Sequence, residues 1–368
     1  MDFTFSDEQN LLRETARDFL ARKCPPAVAR EALTTYEAVA TRLWRDLADV
    51  GWTGLSIPEA QGGSGLDAVS QAIVFEELGR AVAPVPYWST TGLAAGLLVE
   101  VGDPGGLLPA VASGQTLLTV AVSEFWRDSA PVDTTTSVRL EGDRALVSGR
   151  KTFVTDAGLA GTLLVVAARG DALALVPVDR SGPGVRFQPL SALDATRPVF
   201  AVDFDAVAVP AAHVVAIGSD ADLWRGLRRG LVTLCAEMVG SARQALDLTV
   251  AYVKERRQFD RPIGSFQAIK HQTADMLVNV ETARVATYYA ATALDGGADD
   301  VAEAVQIAKA VASEQCWRTT AQAIQLHGGI GFTWEHDLHL YFKRTRQSAS
   351  LLGDARWHYD RLADTVLV

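Results

Sequence analysis

Two stretches of the chain carry residue types suited to holding a phosphate-bearing ligand. The first is Glu255-Arg256-Arg257-Gln258-Phe259-Asp260-Arg261-Pro262-Ile263-Gly264, and the second is Gln325-Leu326-His327-Gly328-Gly329-Ile330-Gly331-Phe332. A planar guanidinium at Arg256 can grip phosphate oxygens through paired charge-assisted hydrogen bonds, with Gln258 beside it, and the face of Phe259 can pack against an adenine ring. Gln325 sits in an apolar helical run, and Gly328 and Gly329 follow it. Lacking a Cβ, these glycines let backbone N–H groups come close to a phosphate. Each signal alone is weak: two arginines often end a helix to suit its dipole, and a Gly-Gly-x-Gly run often closes one. Together they describe two halves of one surface for a long diphosphate ligand. His327 is expected to pack or cap locally and not to serve as a ligand.

The elements that must position these residues fall into three zones: residues 1–114, helical; residues 115–215, β; and residues 216–368, helical again. Ser6 before Asp7, Glu8 and Gln9 is a helix N-cap with acids in the first turn, and Leu11, Leu12, Ala16, Phe19 and Leu20 recur at helical spacing. A second helix holds Leu43, Trp44, Leu47 and Val50, and Gly62-Gly63-Ser64-Gly65 is a turn, since no Lys-Ser/Thr follows to make a phosphate loop. Beyond Gly114 the period shifts toward two, in short apolar runs such as Thr116 to Ser123, Ala145 to Ser148, Leu163 to Ala167 and Ala201 to Val209. Long helical stretches return near Ala221, broken at Pro262-Ile263-Gly264 and Asp295-Gly296-Gly297.

Composition narrows the function classes. The chain has 368 residues, 48% of them hydrophobic and 21% charged, which are values of a globular protein. A formal net charge of −10 disfavours nonspecific nucleic-acid binding. Cys24, Cys235 and Cys316 are widely spaced and odd in number, so neither a disulfide framework nor a thiolate metal site is expected, and a reducing cytoplasm is the expected compartment. No apolar run is long enough for a membrane helix, and the opening residues lack the basic and apolar regions of a signal peptide.

The order of helices, β module and helices, taken with the two motifs, resembles the acyl-CoA dehydrogenase family. The likeness runs nearly end to end: Phe3-Thr4-Phe5-Ser6-Asp7-Glu8-Gln9, Gly51-Trp52-Thr53-Gly54-Leu55-Ser56-Ile57-Pro58-Glu59, Gly62-Gly63, Glu76-Glu77-Leu78-Gly79-Arg80, and most strongly the last third. The fold it implies is α+β and mainly α: an N-terminal helical domain, a central β-barrel or sandwich domain and a C-terminal four-helix bundle. Its cofactor is FAD and its substrate an acyl-CoA thioester, with electron-transfer flavoprotein or a similar acceptor downstream. By this resemblance Arg256, Gln258 and Phe259 contact the adenine half of FAD, usually that of a neighbouring subunit, and Gln325, Gly328 and Gly329 reach the same diphosphate. Phe153-Val154-Thr155-Asp156 corresponds to the strand end flanking the isoalloxazine, with Thr155 the hydrogen-bonding candidate. Where the family carries small residues in the loop before it, this chain has Ser123-Glu124-Phe125-Trp126-Arg127-Asp128-Ser129.

The same resemblance exposes a gap. Oxidation of a saturated thioester requires a base for the α proton, usually a carboxylate whose pKa burial has raised. One family position for this glutamate is here Leu352 and the other is about Gly230; neither can take a proton. Asp354 and Glu237 are the nearest acids, both offset from the usual places. One expectation is therefore the base-lacking subunit of a bacterial two-chain dehydrogenase. The others are a homo-oligomeric dehydrogenase with an unconventional base, such as Asp354, and a non-catalytic acyl-binding or scaffold protein. Oligomerisation is expected for a cofactor motif that acts across a subunit boundary.

Overall fold

A computed structural model describes residues 4–124 and 134–366. The chain forms two compact units. One comprises the chain up to Thr34, Val69–Ala83 and the chain from Val232 onward; the other comprises Thr35–Ala68 and Pro84–Leu231.

The first unit opens with α1 (Asp7–Lys23), whose N-cap Ser6 accepts from the Gln9 amide while the Gln9 side chain accepts from Ser6 N–H, a reciprocal capping box. Helix α2 (Pro26–Asp49) is bent at Thr35, where φ is −134° and ψ 43°, and the chain leaves the first unit at that bend. Helix α3 (Ala68–Arg80) packs against α6 (Asp220–Glu255) through two glycines. A Cβ on Gly79 would lie 1.9 Å from the Glu237 carbonyl oxygen, and one on Gly240 would lie 1.7 Å from that of Glu76. The two backbones can meet this closely because neither glycine carries a side chain. Glu237 also ties α6 to a later helix, since its carboxylate accepts from the Arg344 guanidinium and both groups are almost fully buried.

The second unit begins after the bend and includes the rest of α2, a π-helical segment at Trp88–Ala95, α4 (Gly96–Val101) and α5 (Leu108–Ala112). It also holds an eight-stranded mixed sheet: β1 (Leu118–Ala121), β2 (Ser137–Glu141), β3 (Arg144–Thr155), β4 (Thr162–Arg169), β5 (Ala172–Asp179), β6 (Val185–Pro189), β7 (Val199–Pro210) and β8 (Val215–Gly218). The order is β6-β7-β3-β2-β4-β5-β8, with β1 pairing parallel to β4. Alternating small and branched residues, among them Val147, Val165, Val176 and Val202, make its core. The expected order of helices, β module and helices is thus observed.

Back in the first unit, α6 ends at Glu255 and a hairpin follows, β9 (Arg257–Gln258) with β10 (Arg261–Pro262). Then come α7 (Gln267–Gly296), α8 (Val301–His327), α9 (Gly329–Phe332), α10 (Leu338–Ser350) and α11 (Ala355–Val366). Among the described residues no helix is long and apolar enough to cross a membrane. No cluster of three or more His, Cys, Asp or Glu side chains that could hold a metal occurs among them, and all three cysteines are buried and outside any disulfide.

Candidate nucleotide site and the turn at Leu352

The two sequence motifs lie at the C-terminal ends of α6 and α8 in the first unit. Arg256 directly follows α6, its backbone N–H bonded to the Tyr252 carbonyl and its own carbonyl to the Ile263 N–H. The hairpin is closed by Phe259 and Asp260, both with positive φ (51° and 60°), a two-residue turn normally given to Asn-Gly. A bulky residue there costs roughly 1–2 kcal/mol of backbone energy. The Arg257 guanidinium donates to the Asp260 carbonyl and fastens the turn, while the Arg261 guanidinium lies 4.0 Å over the Phe266 ring. Phe259 is left 86% exposed, with only an edge contact to Phe266. An apolar ring displayed at the tip of a strained turn is what a ligand-facing residue requires, and strain of this kind gathers at binding sites.

Helix α8 ends in the second motif. Tyr252 stacks on His327 with ring centroids 4.2 Å apart, and its hydroxyl donates to the His327 carbonyl, so the ends of α6 and α8 are joined. His327 Nδ1 bonds the Ala323 carbonyl; burial pulls its pKa below the ordinary imidazole value. Gly328 has φ 61° and ψ −138°, a conformation reserved for glycine, and the space where its Cβ and that of Gly329 would stand is open. Gln325, Gly328 and Gly329 are exposed, as are Arg256 and Gln258. The Arg256 and Gln325 side chains make no hydrogen bond or ion pair among the described residues. An unpaired guanidinium, two amides, an open glycine turn and an exposed aromatic ring make a donor set that fits a diphosphate bearing an adenine.

Thr155 closes β3 in the second unit. It is buried, pairs with Val199, and its carbonyl accepts from the Thr119 hydroxyl at 2.7 Å. The register slips between Lys151 and Val154, so Phe153 takes φ 52° and turns outward. Lys151 is fully buried and donates to the Val122 carbonyl and, at 2.7 Å, to Glu124. Burial pulls its ammonium down to about 8, against the pull of Glu124. Glu124 feels burial pushing upward, but the Lys151 charge and the Thr135 and Thr136 donors outweigh it and hold the carboxyl at about 2. Glu124 thereby ties Thr135 and Thr136 to β3; Phe125 to Ser129 lie outside the described residues.

The positions expected to carry a base, and the acids nearest them, have defined surroundings. Leu352 is 6% exposed, with φ 55°, in the turn between α10 and α11. Two buried side chains fix that turn: His358 Nε2–H donates to the Leu352 carbonyl, and Lys309 donates to the Gly353 and Ala349 carbonyls and to Ser313. Burial, reinforced by the Lys309 charge, lowers the His358 pKa to about 2, so its ring is neutral; its Nδ1 meets the Gln306 side-chain amide. Asp354 accepts from the Trp357 N–H and caps α11. Gly230, in the second unit, accepts from Trp88 Nε1–H, and a Cβ there would meet Leu93 Cδ1 at 2.4 Å. Glu237 carries its ion pair with Arg344. Lys309, His358 and Arg344 were not singled out from sequence, although a lysine inside the apolar run Val305 to Ala312 was a signal that something buried must receive it.

Helices before and after a mixed sheet give the architecture of an acyl-CoA dehydrogenase-like fold. Residues 6–115 match the acyl-CoA dehydrogenase N-terminal domain and residues 219–367 its C-terminal domain. Acyl-CoA dehydrogenase IpdE2 of Mycolicibacterium smegmatis is 35% identical over 97% of this chain and 98% of its own length. Among solved structures, the Tcur3481-Tcur3483 steroid ACAD G363A variant has a TM-score of 0.89 at 34% identity, covering 98% of both chains. The ChsE4-ChsE5 complex from Mycobacterium tuberculosis has a TM-score of 0.91 at 29% identity, covering 100% of this chain and 99% of that one. The chain belongs to the acyl-CoA dehydrogenase family, whose enzymes are FAD-dependent.

Proposed function

We propose that this chain is the nucleotide-holding, base-lacking subunit of a two-chain acyl-CoA dehydrogenase. The observation that carries the proposal is the contrast between an exposed, unpaired diphosphate donor set at Arg256 and Gln325 and a leucine in the closed turn where the base would stand. Arg256, Gln258, Gln325 and the Gly328-Gly329 backbone hold the diphosphate of the companion chain's FAD and Phe259 flanks its adenine; Thr155, in the second unit, is separately the candidate for bonding a flavin ring. Bound FAD supplies the hydride-accepting chemistry. A companion chain supplies the carboxylate that takes the α proton, and an electron-transfer flavoprotein or similar acceptor removes the reducing equivalents. The likeness to the Tcur3481-Tcur3483 steroid enzyme and to the ChsE4-ChsE5 complex supports both the pairing of unlike chains and a bulky, steroid-derived acyl-CoA as substrate class.

Neither remaining acid favours a self-sufficient enzyme, because Asp354 caps a helix and Glu237 is held by Arg344. The isolated chain, supplied with FAD and an artificial electron acceptor, is expected to show no dehydrogenation across a panel of straight-chain and steroid acyl-CoA thioesters. Turnover by the purified chain alone would refute the proposal.

A further inference from the structure

Away from the residues considered above, the first unit contains a polar cavity of about 480 Å³ lined by α1, α3, α6 and α7. Its walls carry five guanidinium groups, from Arg13, Arg17, Arg80, Arg243 and Arg284, against three carboxylates, from Glu76, Glu77 and Asp247. Arg17 is paired bidentately with Glu77, Arg80 with Asp247, Arg243 with Asp247 and Glu281, and Arg284 with Glu76. Arg13 differs. It is packed 4.1 Å over the Phe5 ring and donates to the Tyr288 hydroxyl at 3.4 Å, and its buried Nε has no acceptor among the described residues. Even with Glu281 counted, positive charge exceeds negative in this cleft, in a chain whose net charge is −10.

A second cavity of about 260 Å³ shares the Arg17, Glu77 and Arg80 wall and is lined on its other side by Leu20, Ala21, Cys24, Pro25, Pro26 and Tyr341. The pair therefore offers an oxyanion an arginine cleft and offers an attached apolar group an adjoining pocket. Buried, under-satisfied N–H donors are costly to leave without an acceptor, and a phosphate or carboxylate oxygen would supply one.

We propose that these neighbouring cavities bind a small oxyanion carrying a short apolar substituent, with Arg13 and Arg284 facing the anion and the apolar group reaching past the shared Arg17–Glu77–Arg80 wall into the Leu20–Tyr341 pocket. The inference does not rest on the flavin assignment. It is tested by calorimetric titration of the full chain with inorganic phosphate and with phenyl phosphate, at ionic strength fixed with sodium chloride. The expected result is saturable one-to-one binding of both, tighter for phenyl phosphate. Arg13→Met and Arg284→Met should each weaken both at least tenfold, and Arg356→Met, on an exposed face of α11, should change neither. Should the arginine variants fail to fold, Ala21→Trp, on the exposed side of α1, is expected to fill the apolar pocket and remove the advantage of phenyl phosphate. No saturable binding, equal affinity for the two phosphates, or binding that survives both arginine substitutions would overturn the proposal, as would an undiminished preference in Ala21→Trp.

Discussion

Two residues carry the proposed function: Arg256, exposed and without a side-chain partner among the described residues, and Leu352, buried in the turn between α10 and α11. Loss of a charge-assisted hydrogen bond costs about 1.5–3 kcal/mol, so Arg256→Met in the two-chain assembly should raise the Kd for FAD by about ten- to a hundredfold, measured by flavin fluorescence. Its melting temperature without flavin should be unchanged, because Arg256 is exposed and unpaired. His358 makes a separate prediction. Its ordinary pKa of 6.5 is lowered to about 2 by burial and by Lys309, so below pH 6.5 the unfolded chain binds a proton that the folded chain refuses. Stability should therefore decline as pH falls from 6.5 toward 2, and His358→Gln should flatten that decline in denaturant titrations repeated across the range.

Among the elements, the crossing of α3 and α6 depends on two missing side chains. Gly240→Ala would push a methyl to 1.7 Å from the Glu76 carbonyl oxygen and should destabilise the fold by about 3 kcal/mol, read as a lower denaturation midpoint with unchanged slope. A wild-type midpoint for this variant would mean that the helices do not meet there. Much at this scale was legible in the residues. The Ser6 N-cap, the break at Gly62 to Gly65 and the short apolar runs of Leu163 to Ala167 and Ala201 to Val209 each carry a local signal that the structure keeps. Strand β3 was visible only as Ala145 to Ser148, because its register shifts at Gly149 and before Val154 interrupt the alternation. The π-helical turn at Trp88–Ala95 has no sequence mark, since it is buried all round and shows no periodic face. At the candidate site the two motifs stand out in sequence, but the strained Phe259-Asp260 turn and the Tyr252–His327 stack arise from tertiary packing. The pinning of Leu352 by Lys309 and His358 joins residues far apart in sequence, which no local pattern encodes.

For the whole molecule, the proposed function requires a companion chain that supplies the carboxylate. If this chain lends its diphosphate donors to a companion's flavin and the companion lends none back, an assembly of unlike chains should show one complete flavin site for each pair. The most direct measurement is native mass spectrometry of the chain co-expressed with the product of a neighbouring dehydrogenase gene, with flavin quantified against each polypeptide. The account predicts equal amounts of the two chains and one FAD per pair. A homo-oligomer of this chain carrying one FAD per subunit would contradict it.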